Sequence, residues 1–164
     1  QAMTRYADTN GRLALTVAGQ GSRMTGGRAV LAVRPGDMGW IDTKGQPTGT
    51  LHYQDLGLPT DGPAFAKTNG RYGFVDAQGN FVIPPVFDAV SSFEGGAAIV
   101  SDDTTSMMID RTGKPLARVD NVCGVRVLYG RGSERQWPLT LPVRCGDNPP
   151  AEAPAPVTPE PAKP

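Results

Sequence analysis

The chain has one histidine, His52, in the stretch "TLHYQD", three residues ahead of Asp55. An imidazole beside a carboxylate is the pairing that makes a general base. A base needs a nucleophile, and none accompanies it. No serine stands in a nucleophile-elbow context, and neither cysteine lies close in sequence. The plainer reading of His52 is a surface or half-buried strand side chain. Paired carboxylates can also act as acid and base. The candidates are the doublet Asp102–Asp103 in "VSDDTTS" and the pair Asp88 and Glu94. The doublet reads as a loop, and Asp88 and Glu94 belong to a repeated motif described below. "GQGSRMTGG" (Gly19 to Gly27) has glycines enough to cradle a phosphate. It lacks the Gly-Lys-Ser/Thr ending, the Gly-x-Gly-x-x-Gly spacing and a following helix signal, so it reads as a loop between strands. Two cysteines without a second Cys/His pair do not complete a metal site. No catalytic, cofactor-binding or metal-binding residue is assigned, and a non-enzymatic protein is expected.

Composition points the same way. The chain has 164 residues, enough for about one domain. Its 16 basic and 16 acidic side chains balance, which gives no general attraction to nucleic acid or to an anionic membrane. No apolar run approaches the ~20 residues of a membrane helix. The aromatic residues are few (Trp 2, Tyr 4, Phe 5) and several fall in core columns. That leaves little for the stacking platform of a nucleic-acid or sugar binder. Gly (21) and Pro (16) are about twice their usual share, which suits short strands and frequent turns. The opening "QAMTRYADTNG" has no initiator Met and no apolar signal region. It reads as a mature chain after signal-peptide removal, or else as a fragment of something longer.

The organising feature is a repeat. "GFVDAQGNF" (Gly73 to Phe81) has counterparts in "GWIDTKGQP" (Gly39 to Pro47), "MMIDRTGKP" (Met107 to Pro115) and "RYADTNGRL" (Arg5 to Leu13). Asp8, Asp42, Asp76 and Asp110 fall in one column, and Gly11, Gly45, Gly79 and Gly113 in another, at a constant step of 34 residues. Tyr6, Trp40, Phe74 and Met108 share a large apolar column. Tyr53 matches Phe87, and "GPAFA" (62–66) matches "GAAIV" (96–100) and "RAVLA" (28–32). In apolar-Asp-x-x-Gly the Asp can accept bonds from amides just ahead of it, and the Gly can take a positive φ. The flanking apolar runs make each copy a β-hairpin. Pro84–Pro85 ends the second strand because neither residue has an amide to donate. One such unit cannot bury its apolar face alone, so the copies are expected to stack on a shared core.

The stretch from Arg5 to about Val122 resembles the bacterial WG (KWG) repeat family. The residues carrying the likeness are Tyr72-Gly73-Phe74-Val75-Asp76, Gly79, Ile83-Pro84-Pro85, Phe87-Asp88, Phe93, Glu94-Gly95, Ala97 and Val100. The outer copies depart from the pattern. The Gly column holds Arg5 in the first copy and Met107 in the last, and the Trp before it is Met38 or Tyr72. The resemblance implies an all-β repeat module of bacterial envelope or secreted proteins, and it brings no catalytic residues.

After Val122 the repeat stops. "CGVRVLYG" (123–130) and "WPLTLPVRC" (137–145) read as a hairpin turning near Glu134, with Cys123 opposite Cys145. That spacing suits a disulfide, which favours an oxidising compartment and would cap the array's edge. Arg126, Arg131, Arg135 and Arg144 make the segment basic. They are a possible docking patch, with a solvated hairpin face as the plainer reading. "GDNPPAEAPAPVTPEPAKP" (146–164) cannot form a core and tends to polyproline II.

The expectation is therefore an all-β array of about four 34-residue antiparallel meander repeats over 1–122, arranged as a short solenoid or an open propeller-like stack. A disulfide-pinned hairpin (123–145) and a Pro-rich tail (146–164) follow. The expected partner is another protein or further copies of the chain, in the periplasm, at the cell surface or outside the cell. Nucleic acid, cofactors and membrane integration are not expected. The alternatives are a self-assembling or accessory structural subunit with the tail as its joint, and a cell-wall glycan binder.

Overall fold

The computed structural model describes residues 2–122, 124–130 and 136–137. All regular structure among them is β-strand, and every strand pair is antiparallel. β1 (Met3–Ala7) and β2 (Leu13–Ala18) form a two-stranded hairpin. β3 (Gln20–Gly21), β4 (Arg28–Arg34), β5 (Asp37–Asp42) and β6 (Pro47–Tyr53) make a four-stranded sheet in chain order. β7 (Asp55–Leu56), β8 (Ala64–Thr68), β9 (Arg71–Val75) and β10 (Phe81–Phe87) repeat it. The last sheet has six strands: β11 (Ala89–Val90), β12 (Ala97–Ser101), β13 (Ser106–Asp110), β14 (Pro115–Val122), β15 (Val125–Gly130) and β16 (Gln136–Trp137). Among the described residues no sheet closes into a barrel.

One strand links each sheet to the next. β2, β6 and β10 break at a single residue, Gly19, Gln54 and Asp88, and resume as the first short strand of the following sheet. Two of the break residues tie themselves to the new sheet, the Gln54 amide donating to Lys67 O at 2.8 Å and the Asp88 amide to Ser101 O at 2.9 Å, while the Gly19 amide donates back to Ala2 O at 2.8 Å. β14 has no such break. It runs on to Val122 and turns back into β15 with Val122 opposite Val125, so the last sheet grows sideways instead of passing the chain onward.

The core lies between successive sheets. Ala29, Leu31 and Ile41 pack with Tyr6 and Val17 of the first hairpin. Trp40 and Tyr53 pack on Leu56, Ala64, Ala66 and Val75 of the next sheet. Phe74 and Ile83 pack on Phe93, Ala98, Val100 and Ile109 of the one after. Alternation along a strand sends neighbours to opposite faces. Trp40 therefore points forward and Ile41 back, and Phe74 forward and Val75 back. A middle sheet is covered on both sides, which is why three consecutive residues of β9, Gly73 to Val75, are all buried. Alanines facing the neighbouring sheet (Ala29, Ala64, Ala66, Ala98) leave room for these large side chains. Each fully buried side chain such as Phe74 contributes on the order of 1.5–3 kcal/mol.

The structure refines the sequence alignment at one place. Ala29 lies opposite Ile41, Ala64 opposite Val75, and Ala98 opposite Ile109. The counterpart of Ala64 is therefore Ala29, one residue off the constant step. The extra residue is absorbed in the β4–β5 pairing, where the register shifts between Ala32 and Arg34. A bulge adds a residue to one strand without moving the rest.

Candidate functional site

The four Asp-x-x-Gly turns are built alike. Asp42 Oδ1 accepts from the Lys44 and Gln46 amides at 2.8 and 2.9 Å, while the Gly45 amide donates to Asp42 O at 3.0 Å. Asp8, Asp76 and Asp110 do the same for residues two and four ahead. Gly11, Gly45, Gly79 and Gly113 have φ of 77°, 77°, 86° and 85°, a region L side chains avoid. These amide bonds favour the ionised carboxylate. The Asp76 carboxyl is held below its ordinary range, chiefly by the Asn80 amide, and that of Asp110 chiefly by the Thr112 hydroxyl.

Three of the turns seat on the preceding repeat. A Cβ on Gly45 would meet the Leu15 side chain, one on Gly113 would meet Ile83, and one on Gly49 would come within 2.6 Å of Gln78 O in the third turn. Leu15, Gly49 and Ile83 are repeat equivalents, so one contact recurs at each joint. Side chains staple the same joints. Tyr6 Oη donates to Ser22 O at 2.9 Å and Trp40 Nε1 to Gly57 O at 2.8 Å, each crossing to the next sheet at an equivalent position. Phe74 has no donor and instead meets the Phe93 ring edge-on, with centroids 4.9 Å apart. Tyr53 Oη donates to Gly79 O at 2.5 Å. Arg28 donates to Ala77 O at 3.0 Å, and Arg111 binds the Asp61 carboxylate and carbonyl. The Asp61 carboxyl also takes the Gly96 amide at 2.7 Å. That amide first, and then Arg111, lowers its pKa.

The sequence candidates for chemistry are dispersed. His52 Nδ1 pairs with Asp37 Oδ1 at 2.7 Å on the surface, and the imidazole is 79% exposed. Asp55 instead accepts from Tyr72 Oη at 2.7 Å, an interaction that raises the Tyr72 pKa. Asp88 pairs with Arg71 at 2.7 Å, and its carboxyl is raised above the ordinary range, first by its hydrogen bond with Asp103. Asp102 caps its own loop through the Thr104 and Thr105 amides and the Thr105 hydroxyl, which lowers its pKa. Glu94 bonds Ala97 through the backbone in both directions, closing the Gly95–Gly96 turn. Gly19 to Gly27 spans the bend after β2, the short strand β3 and the approach to β4. Among the described residues, no three His, Cys, Asp or Glu side chains are placed to hold a metal ion. Arg126 lies on β15 opposite Asn121. Cys123, Cys145, Arg131, Arg135, Arg144 and the tail from Gly146 fall outside the described residues.

A concave surface opens elsewhere, on the last sheet. Thr105 to Met107, Pro115 to Arg118, Tyr129 and Gly130 line a trough of about 480 Å³, within the usual range for ligand sites. Its floor is a row across three strands: Met107 opposite Arg118, and Arg118 opposite Tyr129. The Arg118 guanidinium lies 4.7 Å from the Tyr129 ring centroid and 3.0 Å from Asp120. Leu116 at the rim is 42% exposed.

The trough follows from two substitutions within the repeat. In the preceding copy Met107 is Gly73, and β10 bulges over it. A Cβ on Gly73 would fall 2.5 Å from Ile83 O and 2.7 Å from Pro84 C and Pro85 N. β10 shifts register twice to make that fold. In the last copy Met107 fills the glycine position, no Pro-Pro is present, and β14 runs flat with Met107 directly opposite Arg118. The first copy shows the same rule, since Arg5 pairs flatly with Thr16. The loss of Gly and Pro-Pro was visible in the sequence. That the loss opens a surface depends on the added strand β15, and hence on the fold.

The family model for the WG containing repeat matches residues 72–103, and this stretch, from β9 to the loop after β12, is a repeat of that kind. No curated protein matches the chain.

Proposed function

We propose that this chain is a non-enzymatic contact module of the bacterial envelope or of a secreted protein, and that it binds another protein through the trough on β13–β15. The observation that carries this reading is the trough itself: a concave, mainly apolar surface with an aromatic and a cation at its floor. Exposed apolar side chains recur at the equivalent strand starts of other repeats: Val82 and Phe81 on β10, 49% and 37% exposed, and Leu13 on β2. The envelope setting rests on the disulfide expected between Cys123 and Cys145.

The test is affinity purification of the full chain from its native cells, with Leu116→Glu beside a Lys44→Glu control. One specific protein should accompany the wild type and the Lys44 variant and be lost with Leu116→Glu. An identical set from all three overturns the reading.

A further inference from the structure

We propose that the trough takes a polyproline-II segment, and that its occupant is the chain's own Pro-rich segment within residues 147–164, "DNPPAEAPAPVTPEPAKP". The proposal rests on reading the trough as a binding site. Repeat equivalence identifies the chemistry. In the third copy the backbone of Ile83, Pro84 and Pro85 bulges over Gly73. In the last copy Met107 fills the glycine position, β14 runs flat beside it, and among the described residues no Pro-Pro bulge covers Met107, Arg118 and Tyr129. A proline-rich backbone is thus what lies against the equivalent strand one repeat earlier.

The lining suits such a ligand. Prolines in a polyproline-II segment project from a backbone with no internal hydrogen bonds and dock in aromatic-lined apolar grooves. Tyr129, Met107, Pro115 and Leu116 supply that surface. Arg118 supplies one cation, with its side chain 62% exposed. The segment carries three acidic residues, Asp147, Glu152 and Glu160, against one basic residue, Lys163, so it is net acidic and can compete with Asp120 for the Arg118 guanidinium.

Connectivity makes the chain itself the favoured source. Gln136 of β16 pairs with Tyr129, so the last described strand ends beside the trough. The ten residues from Pro138 to Asp147 can span roughly 33–36 Å if extended. A tether of this length holds its end at an effective concentration on the order of millimolar, enough to keep a weak polyproline contact formed. The tail would then mask the trough, and a protein partner would have to displace it.

The experiment uses the full chain labelled with ¹³C at the methionine methyls. Nuclear Overhauser contacts are expected between the Met107 methyl or the Tyr129 ring and proline Hδ protons. They should vanish when Pro149, Pro150, Pro154 and Pro156 are together replaced by alanine, and should weaken in Leu116→Ser while the turn glycine amides keep their shifts. Absence of these contacts, with an unmoved Met107 methyl in the alanine variant, overturns the proposal. Contacts that appear only between differently labelled copies and grow with concentration overturn it too, because the source is then a second molecule. Failure here leaves partner capture at Leu116 intact, and failure of that capture leaves these contacts intact, so the two readings fail separately. If both hold, the tail-proline variant should bind the partner at least several-fold more tightly.

Discussion

Replacing Gly49 with alanine tests the joint between repeats most sharply. Gly49 has φ of 81°, and a Cβ there would sit 2.6 Å from Gln78 O and 3.2 Å from Gln78 C, backbone atoms of the next repeat's turn. Two penalties therefore add. The left-handed conformation costs an L residue roughly 1–2 kcal/mol. Forcing a methyl into packed backbone costs about 1–3 kcal/mol more, because the turn held by Asp76 cannot yield without losing its own bonds. Gly70 supplies the control. Its φ is 78°, but an added Cβ meets nothing within 4 Å, so Gly70→Ala carries the first penalty alone. Urea unfolding by linear extrapolation should show Gly49→Ala less stable than Gly70→Ala by about 1–3 kcal/mol. Equal losses would refute the claim that the turn seats on the preceding strand.

Other consequences follow from the same geometry. Trp40→Phe keeps the ring in its core but leaves Gly57 O without its 2.8 Å donor; unfolding free energy should fall by about 1–3 kcal/mol, and a loss well below that range would deny the bond its role. Asp61, Asp76, Asp102 and Asp110 all have lowered pKa values. Their stabilisation is full above the unfolded value near 3.9 and is lost as pH falls through the folded values. Asp88, which is raised, acts in the opposite sense, contributing most below its unfolded pKa and losing that contribution as pH rises through the folded value. Melting temperature should therefore drop below about pH 4, and drop less steeply in Asp76→Asn. Arg111→Met should raise the Asp61 pKa part of the way to normal in a carboxyl NMR titration, since the Gly96 amide remains; no movement would contradict the clasp. His52→Ala, at an exposed surface pair, should change stability by less than about 0.5 kcal/mol.

The turns and hairpins were legible because they are local. An Asp two and four residues ahead of the amides it accepts, and a Gly where φ must be positive, write their geometry into a short window. The fixed step then carried that window to Asp8, Asp42, Asp76 and Asp110. The bulge in the β4–β5 pairing was not legible, because no residue type demands it and it shows only when Ala29 is found opposite Ile41. Joint contacts such as Trp40 to Gly57 O and Arg111 to Asp61 join residues of different repeats, and a single period gives no account of which face meets which. His52 seemed paired with Asp55 by proximity in sequence, yet its carboxylate is Asp37 on the adjacent strand. The trough was half legible. Met107 in a glycine column and the missing Pro-Pro were both on view, but only β15 pairing with β14 turns those changes into a surface lined by Arg118 and Tyr129.

The central claim is that the trough is where this protein meets its partner. The most direct measurement places a photocrosslinking side chain at position 116 of the full chain in its native cells, with position 44 as the comparison. An adduct with one distinct protein at position 116 and none at position 44 is the expected result. Adducts at both positions, or only at position 44, would contradict the claim.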